Sequence, residues 1–227
     1  TVTYASEWTN SATLSFANKV GNTNINSFSG NLSSSNKGDF KLFGELLTDS
    51  EFSFLANHSQ STQNDTSLLE NNSAIILIFD YHANKIFSPF IFTGWEYDSL
   101  AGVDSRINLG VGAKYRFNNY ASFSAALLIE NQTYTGETAE LLNRISLRPK
   151  YKRSFANGSN IIWMIFYQPS TQDFDDYLIK SELSASLQTS VKWLAFTCTG
   201  VYDYNSKPPA DVKLADLDLT IGITISF

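Results

Sequence analysis

Residues 217–227 decide the fold, and they read Leu-Asp-Leu-Thr-Ile-Gly-Ile-Thr-Ile-Ser-Phe. Odd positions in this stretch are apolar, and even positions are polar or glycine. This alternation predicts a β-strand with two unlike faces, because successive side chains point to opposite sides of a strand. The stretch is as long as the roughly 9–11 residues that a tilted strand needs to cross a bilayer. We therefore expect its odd positions to face lipid and its even positions to face an interior.

The same alternation recurs upstream, most clearly over 104–117, where apolar residues such as Leu109 alternate with small or polar residues such as Gly110. Turn-forming residues recur at even spacing, and no stretch shows a helical period. The pattern gives about twelve strands, an even number, as in single-chain outer-membrane barrels. The sequence thus predicts one all-β domain over 1–227, a transmembrane antiparallel up-and-down β-barrel of bacterial outer-membrane type.

The predicted connections alternate between short turns and longer loops. A tight hairpin connection is predicted at 21–24, and the polar stretch 58–72 is predicted to be the longest loop with the strand ends beside it. Short turns, which face the periplasm in barrels of this kind, are predicted at 36–38, 83–85, 118–119, 156–158 and 189–190.

The composition argues against several classes of protein. The 227 residues include 16 Lys and Arg against 22 Asp and Glu, and the net charge of -6 argues against nucleic acid as a partner. Aromatic residues make up 14% of the chain, which fits the aromatic girdles of a membrane barrel. No window approaches the roughly 18 apolar residues of a transmembrane helix. The mean hydropathy of -0.15 suits a barrel, whose polar half is hidden inside.

The single cysteine and the first residues indicate how the chain is processed. Cys198 stands alone, so we expect neither a disulfide framework nor a thiolate metal cluster. Residues 1–7 show no charged start followed by an apolar run, so we expect no signal peptide. For an integral protein of the outer membrane of a Gram-negative cell envelope, the sequence would then be the mature chain.

Four short motifs resemble those of a known family. They are Lys-Val-Gly-Asn-Thr-Asn at 19–24, Val-Asp-Ser-Arg at 103–106 leading into Leu-Gly-Val-Gly at 109–112, Asp-Phe-Asp-Asp-Tyr at 173–177, and Tyr-Asp-Tyr-Asn-Ser-Lys-Pro-Pro at 202–209. In this order, and with Phe227 at the end, the chain resembles the salt-induced outer-membrane protein family, a β-barrel family of unknown function. The resemblance covers residues 8–227 and implies an outer-membrane barrel. It brings no established activity and no catalytic residues.

Charged residues on the predicted polar faces are candidates for the lining of the barrel interior. An Arg or Lys that faced lipid at mid-bilayer would cost about 2–4 kcal/mol, so these side chains must point inward. The predicted lumen-lining residues are Lys114, Arg116, Glu130, Arg144, Arg148, Lys150, Lys180, Glu182, Asp216 and Asp218. Their mixed signs favour an internal network of salt bridges, whereas the bases on the strands predicted over 104–117 and 139–152 favour a path for anions.

Three functions follow in order of preference. The first is a structural or partner-binding barrel, an accessory subunit with a narrow, charged and largely blocked interior, since lumens open to water appear at about sixteen strands. The alternative is a small diffusion channel for anions or sugar acids. The third is an outer-membrane lipid hydrolase that uses His58 at the lipid boundary. No residues stand at recognisable positions for a nucleophile, a base and an orienting group, so we expect no enzyme and no catalytic residues.

The expected partners follow from the barrel itself. Outer-membrane lipid and lipopolysaccharide would surround it, and we expect no cofactor and no metal ion. The strand predicted over 160–168 is apolar on both faces. Either the interior is packed on this side, or the strand meets another envelope protein.

Overall fold

The protein forms a closed β-barrel in a computed structural model, which describes residues 7–19, 25–42, 44–63, 67–210 and 212–227. The strands are β1 (Glu7–Lys19), β2 (Ile25–Leu42), β3 (Glu45–Gln63), β4 (Ser67–Asp80), β5 (Phe87–Asp98), β6 (Val103–Arg116), β7 (Ala121–Tyr134), β8 (Glu140–Ser154), β9 (Asn160–Pro169), β10 (Tyr177–Gln188), β11 (Leu194–Asn205) and β12 (Ala215–Ser226). Consecutive strands pair antiparallel, and β1 pairs with β12, which closes the sheet. The predicted all-β barrel of about twelve strands is confirmed.

The two ends of the barrel differ in their connections. One end, here called the turn end, carries short connections that include 81–86, 117–120, 155–159 and 189–193. The other end, here called the loop end, carries the connections from β5 to β6, β7 to β8, β9 to β10 and β11 to β12. Because short turns face the periplasm in outer-membrane barrels, the loop end is the outward end.

Apolar side chains cover the outer surface of the barrel. On β12, Leu219 is 76% exposed and Ile221 is 74% exposed. Further exposed apolar side chains on the same surface include Leu109, Val111, Leu127, Ile129, Leu183, Leu187 and Phe196. Soluble monomers rarely expose contiguous apolar patches larger than a few hundred Å², so this surface is suited to lipid. No helix among the described residues is long and apolar enough to cross a membrane.

The turn predicted at 36–38 was wrong. These residues lie inside β2, where Asn36 pairs with Trp8 on one side and with Phe52 on the other. Asn36, Lys37 and Gly38 stay in regular register with β3, and Gly38, whose φ is 148°, lies directly before a β-bulge between Gly38 and Phe40. Glycine suits both a bulge and a turn, and only the partner strands distinguish the two.

The loop predicted over 58–72 was also wrong. Residues up to Gln63 belong to β3 and residues from Ser67 belong to β4, and the two strands remain paired along this polar stretch. Polar residues on both faces resemble a loop in sequence, but backbone pairing does not require apolar side chains. The connection predicted at 21–24 lies outside the described residues.

Candidate functional site in the barrel interior

One side of the interior is packed with aromatic side chains. Phe90 and Phe92 of β5 lie against glycines of β6, where an added Cβ at Gly110 would lie 2.4 Å from the Phe92 ring. A Cβ at Gly112 would lie 2.8 Å from the Phe90 ring. Leu128 completes this cluster and is only 2% exposed. The glycines make room for the two rings, and the cluster narrows the interior.

A chain of ion pairs continues along the inner wall. The side chain of Arg144 is 1% exposed, and its Nε donates to Oε1 of Glu130 at 2.9 Å. The other carboxylate oxygen of Glu130 lies 3.9 Å from Nε of Arg106. Nη1 of Arg106 donates to Oε1 of Glu96 at 3.0 Å. Since losing one partner would leave a buried charge uncompensated, these residues stabilise the wall and are not free to bind a solute.

Arg144 also fixes the loop between β9 and β10. Its Nη1 and Nη2 donate to the two carboxylate oxygens of Asp176 at 3.1 and 3.3 Å, a bidentate arrangement. The loop after β11 joins this contact, because the Ser206 hydroxyl accepts from the Tyr177 amide at 2.7 Å and donates to the Asp175 carbonyl at 2.8 Å. Both loops are thereby attached to the loop end of the barrel.

A polar cavity of about 380 Å³ opens beside these loops, lined by residues that include Glu140, Gln172 and Lys207. Lys207 pairs with Asp173 at its exposed edge. The hydrogen bond from Lys207 holds the pKa of Asp173 below its ordinary value, and the same bond raises the pKa of Lys207. Exposed ion pairs contribute little to stability, so this pair orders the loops beside the cavity only weakly.

Three cations follow one another on the inner face of β8 toward the turn end. We call Arg148, Lys150 and Lys152 the basic segment. The Arg148 guanidinium lies between two rings, with its Cζ 5.9 Å from the Phe90 centroid and 5.5 Å from the Phe166 centroid. In the described part of the chain, none of the three forms an ion pair with a carboxylate. The basic segment therefore keeps its positive charge uncompensated by direct contact.

The two predicted cations of β6 have partners near the turn end. Nζ of Lys114 lies 2.8 Å from Oδ1 of Asp80 in a partly buried ion pair. Nη1 of Arg116 donates to the backbone carbonyl of Lys85 at 2.6 Å. Of the basic residues predicted to line the lumen, Lys114, Arg144 and Lys180 form ion pairs with carboxylates.

The remaining predicted residues lie on cross-strand rows that climb around the barrel. One row contains Arg116, Ser122, Lys150, Met164, Glu182, Val201 and Asp218. It starts near the turn end, on the last residue of β6, and reaches the loop end on β12, because barrel strands are tilted. Beside it, Lys180 lies 3.4 Å from Asp203, which is paired in register with Asp216.

The inner face of β9 belongs to this interior. Met164 stands in the row just described and Phe166 packs on Arg148, while Trp163 on the opposite face is 47% exposed. One face of β9 is therefore packed inside and the other is suited to lipid. This arrangement accounts for both apolar faces without a partner protein, and the expected protein contact stays a prediction.

The histidine named for a hydrolase does contact a serine. Nδ1 of His58 lies 2.9 Å from Oγ of Ser73 and 3.1 Å from the carbonyl of Asn72. In a catalytic triad, a third group holds the second ring nitrogen and orients the base. Within the described ranges, no side chain hydrogen-bonds to Nε2 of His58. The expectation that the protein is not an enzyme stays a prediction.

Sequence reasoning missed several residues of the interior. Arg106 and Lys152 share the polar faces of their strands with predicted residues, so the alternation contained the signal for both. Asp176 lies one residue before β10, where no strand pattern applies. Its role appears only once Arg144 is placed against it.

Solved structures share this fold. The protein called "KdgM porin" superposes with a TM-score of 0.50 at 10% sequence identity, over 97% of this chain and 99% of that chain. The "NanC porin" gives a TM-score of 0.49 at 8% identity, over 96% and 98% of the two chains. An "Anion-selective porin from Comamonas acidovorans" gives 0.41 at 9% identity, over 99% and 100%. At these identities the likeness concerns the fold alone.

No curated protein matches the sequence. Residues 12–227 match the family described as "Protein of unknown function, DUF481". This match spans nearly the whole chain and confirms the predicted membership of a β-barrel family of unknown function; the salt-induced name of that family stays a prediction. The protein is thus an outer-membrane-type β-barrel, and it belongs to the DUF481 family.

Proposed function

We propose that the protein is a passive diffusion channel for small anions, such as sugar acids, in the outer membrane of Gram-negative bacteria. The observation that carries this proposal is the basic segment, three inward cations that form no ion pair with any carboxylate of the described residues. A cation in a narrow interior attracts anions and repels cations, because field lines concentrate between low-dielectric walls. A row of such cations is the kind of lining that selects anions in a pore.

The size of the accessible surface supports an interior that holds water. The protein exposes 13866 Å², whereas a compact protein of 25.3 kDa exposes about 10,000 Å². An open interior adds an inner surface to the outer one, which accounts for an accessible surface larger than that of a compact protein. The aromatic cluster occupies one side only, since the inner face of β12 carries the small residues Thr220, Gly222 and Thr224.

The test is the reversal potential of single channels in a planar bilayer that separates two concentrations of potassium chloride. We expect stable conductance and a reversal potential whose sign shows that chloride passes more readily than potassium. In the triple variant Arg148→Gln, Lys150→Gln and Lys152→Gln, the channel should stay open while the reversal potential moves toward zero. Arg144 is left intact because its removal would leave Glu130 and Asp176 without their partner.

The matched control removes one Arg and two Lys outside the interior, as Arg153→Gln, Lys192→Gln and Lys213→Gln. Arg153 lies against the Phe155 ring near the turn end, and Lys192 and Lys213 are exposed in connections. This control should keep the reversal potential of the unchanged protein. An equal shift in both triple variants would contradict a role for the basic segment.

The second candidate is a structural or partner-binding barrel without enzymatic activity, surrounded by outer-membrane lipid and lipopolysaccharide and in contact with another envelope protein through β9. The aromatic cluster and the ion-pair chain favour it, because both fill space inside the barrel. This candidate would replace the channel if the correctly folded protein carried no current in the bilayer and co-purified with an envelope protein. Trp163→Ser should then release that envelope protein.

A further inference from the structure

Carboxylates gather in the interior near the loop end. Asp216 and Asp218 begin β12, and Asp203 lies near the end of β11. Asp98, the last residue of β5, is paired in register with Asn72 of β4, and Glu70 lies two residues before Asn72 on the same face of β4. We call these five residues the acidic mouth. Apart from Asp203, none of them forms an ion pair within the described ranges.

The cations of the same half are already engaged. Arg106 pairs with Glu96, Arg144 pairs with Glu130, and Lys180 pairs with Asp203. Their charges are balanced by these contacts, so they do not neutralise the rest of the acidic mouth. The loop half of the interior is therefore negative.

The half near the turn end has the opposite sign. Lys114 lies in the same cross-strand row as Arg148, joined through Ser124 of β7, so it lies beside the basic segment. Two carboxylates of this half are paired, Asp80 with Lys114 and Glu51 with Lys37. The row from Arg116 through Lys150 and Glu182 to Asp218 thus changes from positive to negative as it climbs.

We propose, building on the proposed channel function, that this separation of charge along the axis makes the channel rectify. When the side of the loop end is positive, cations enter past the acidic mouth and anions enter past the basic segment. Each ion then meets a half of the opposite sign first, and both accumulate inside. With the voltage reversed, each ion must enter through a half of its own sign, so the interior is depleted and the current falls.

Selectivity and rectification have separate origins in this arrangement. Arg148 of the basic segment lies between Phe90 and Phe166, which narrow the interior, so the basic segment decides which ion passes. The acidic mouth lies at the loop end, away from these rings, and supplies only the negative charge that rectification needs. Removing the acidic mouth should abolish rectification and leave the preference for anions.

The experiment measures single-channel current at voltages of equal size and opposite sign, with identical potassium chloride on both sides. At about 0.01 M salt the Debye length is about 30 Å, so both halves act on the whole interior, whereas at about 1 M it is about 3 Å. We expect the two currents to differ by about twofold or more at low salt, because charged clefts raise local ion concentrations by tenfold or more. The difference should vanish at high salt.

The orientation of each inserted channel is read from one side. In a Cys198→Ser background, Ala210→Cys provides a single thiol at an exposed position of the loop after β11. This thiol is labelled with a biotin maleimide. Streptavidin added to one chamber changes the current only when the loop end faces that chamber. The larger current should then flow when this chamber is positive.

The variant Asp216→Asn with Asp218→Asn should bring the current ratio to about one at about 0.1 M salt, where the Debye length is about 10 Å. Its control, Glu137→Gln with Asp175→Asn, removes two exposed loop carboxylates outside the barrel wall and should keep the ratio. Equal currents in the unchanged, anion-selective protein at low salt, or a larger current with the loop end negative, would overturn the rectification alone. The absence of any current would overturn the channel function as well.

Discussion

Arg144 and Arg148, two periods of the alternation apart, show how neighbouring residues decide the role of a side chain. Arg144 and Arg148 lie on the same face of β8, and the sequence treats them alike. Arg144 is held by Glu130 and Asp176, whereas Arg148 lies between two phenylalanine rings and forms no ion pair with the residues that the structure describes. The first therefore stabilises the wall, and the second remains available to an anion.

The first prediction at this scale is a difference in stability between two matched variants. Arg144→Met leaves Asp176 without its cation and leaves Glu130 with only the 3.9 Å contact to Arg106, and breaking a buried pair in this way costs about 3–5 kcal/mol. Arg148→Met leaves no carboxylate of the described residues without its cation, so it should lower the free energy of unfolding much less. Urea unfolding in lipid vesicles, followed by tryptophan fluorescence, measures both free energies of unfolding. Equal losses in the two variants would show that the Arg144 ion pairs do not stabilise the barrel.

The second prediction concerns the glycines beneath the aromatic cluster. A Cβ at Gly110 would come within 2.4 Å of the Phe92 ring, so Gly110→Ala must displace the ring. Overpacking of this kind costs about 1–3 kcal/mol. Gly94→Ala is the control, since its Cβ would meet no atom closer than 3.5 Å. The same unfolding assay should show a loss for Gly110→Ala only, and a larger loss for Gly94→Ala would contradict this packing.

Among the strands, β12 has the simplest relation between sequence and environment. Its odd residues, such as Leu219, are among the most exposed apolar side chains, and Thr224 on the other face contacts the hydroxyl groups of Thr13 and Thr197 at 2.7 Å. β12 also closes the barrel against β1. β12 therefore presents its odd residues to the lipid and its even residues to the interior.

The prediction at this scale is a pattern of labelling along β12. Single cysteines are introduced as Thr220→Cys, Ile221→Cys, Ile223→Cys and Thr224→Cys in a Cys198→Ser background, because Cys198 is itself exposed. A lipid-soluble maleimide should react with the two isoleucine positions and spare the two threonine positions. A water-soluble maleimide serves as the reverse control. Equal labelling of all four by the lipid-soluble reagent would contradict the two-faced strand.

At the scale of the whole molecule, the tilt of the strands turns the pattern of charged residues in each strand into a separation of charge along the barrel axis. Rows of paired residues climb around a barrel because its strands are tilted and staggered. A row that begins on Arg116 therefore reaches the loop end at Asp218, and the sign of the charge changes on the way. The charge separation belongs to the closed barrel, since each strand alone carries only part of it.

The sequence by itself determined the architecture of this protein. Period-two alternation is a local property of each strand, so β12 and β6 were recognisable without their neighbours. The same alternation put Arg144, Arg148, Lys150 and Lys152 on one face of β8. It failed where local chemistry has two readings: Gly38 serves a bulge rather than a turn, and the polar stretch of β3 and β4 is paired rather than looped.

Only the tertiary structure decided which charges are engaged and which are free. The contact of Arg144 with Asp176 joins residues 32 positions apart, through a loop without periodicity. The placement of Arg148 between Phe90 and Phe166 brings together three strands. Such contacts depend on register, tilt and closure, which no single strand encodes. The physical reason is that alternation sets the face on which a side chain lies, whereas the partner it meets there is set by the strands on either side.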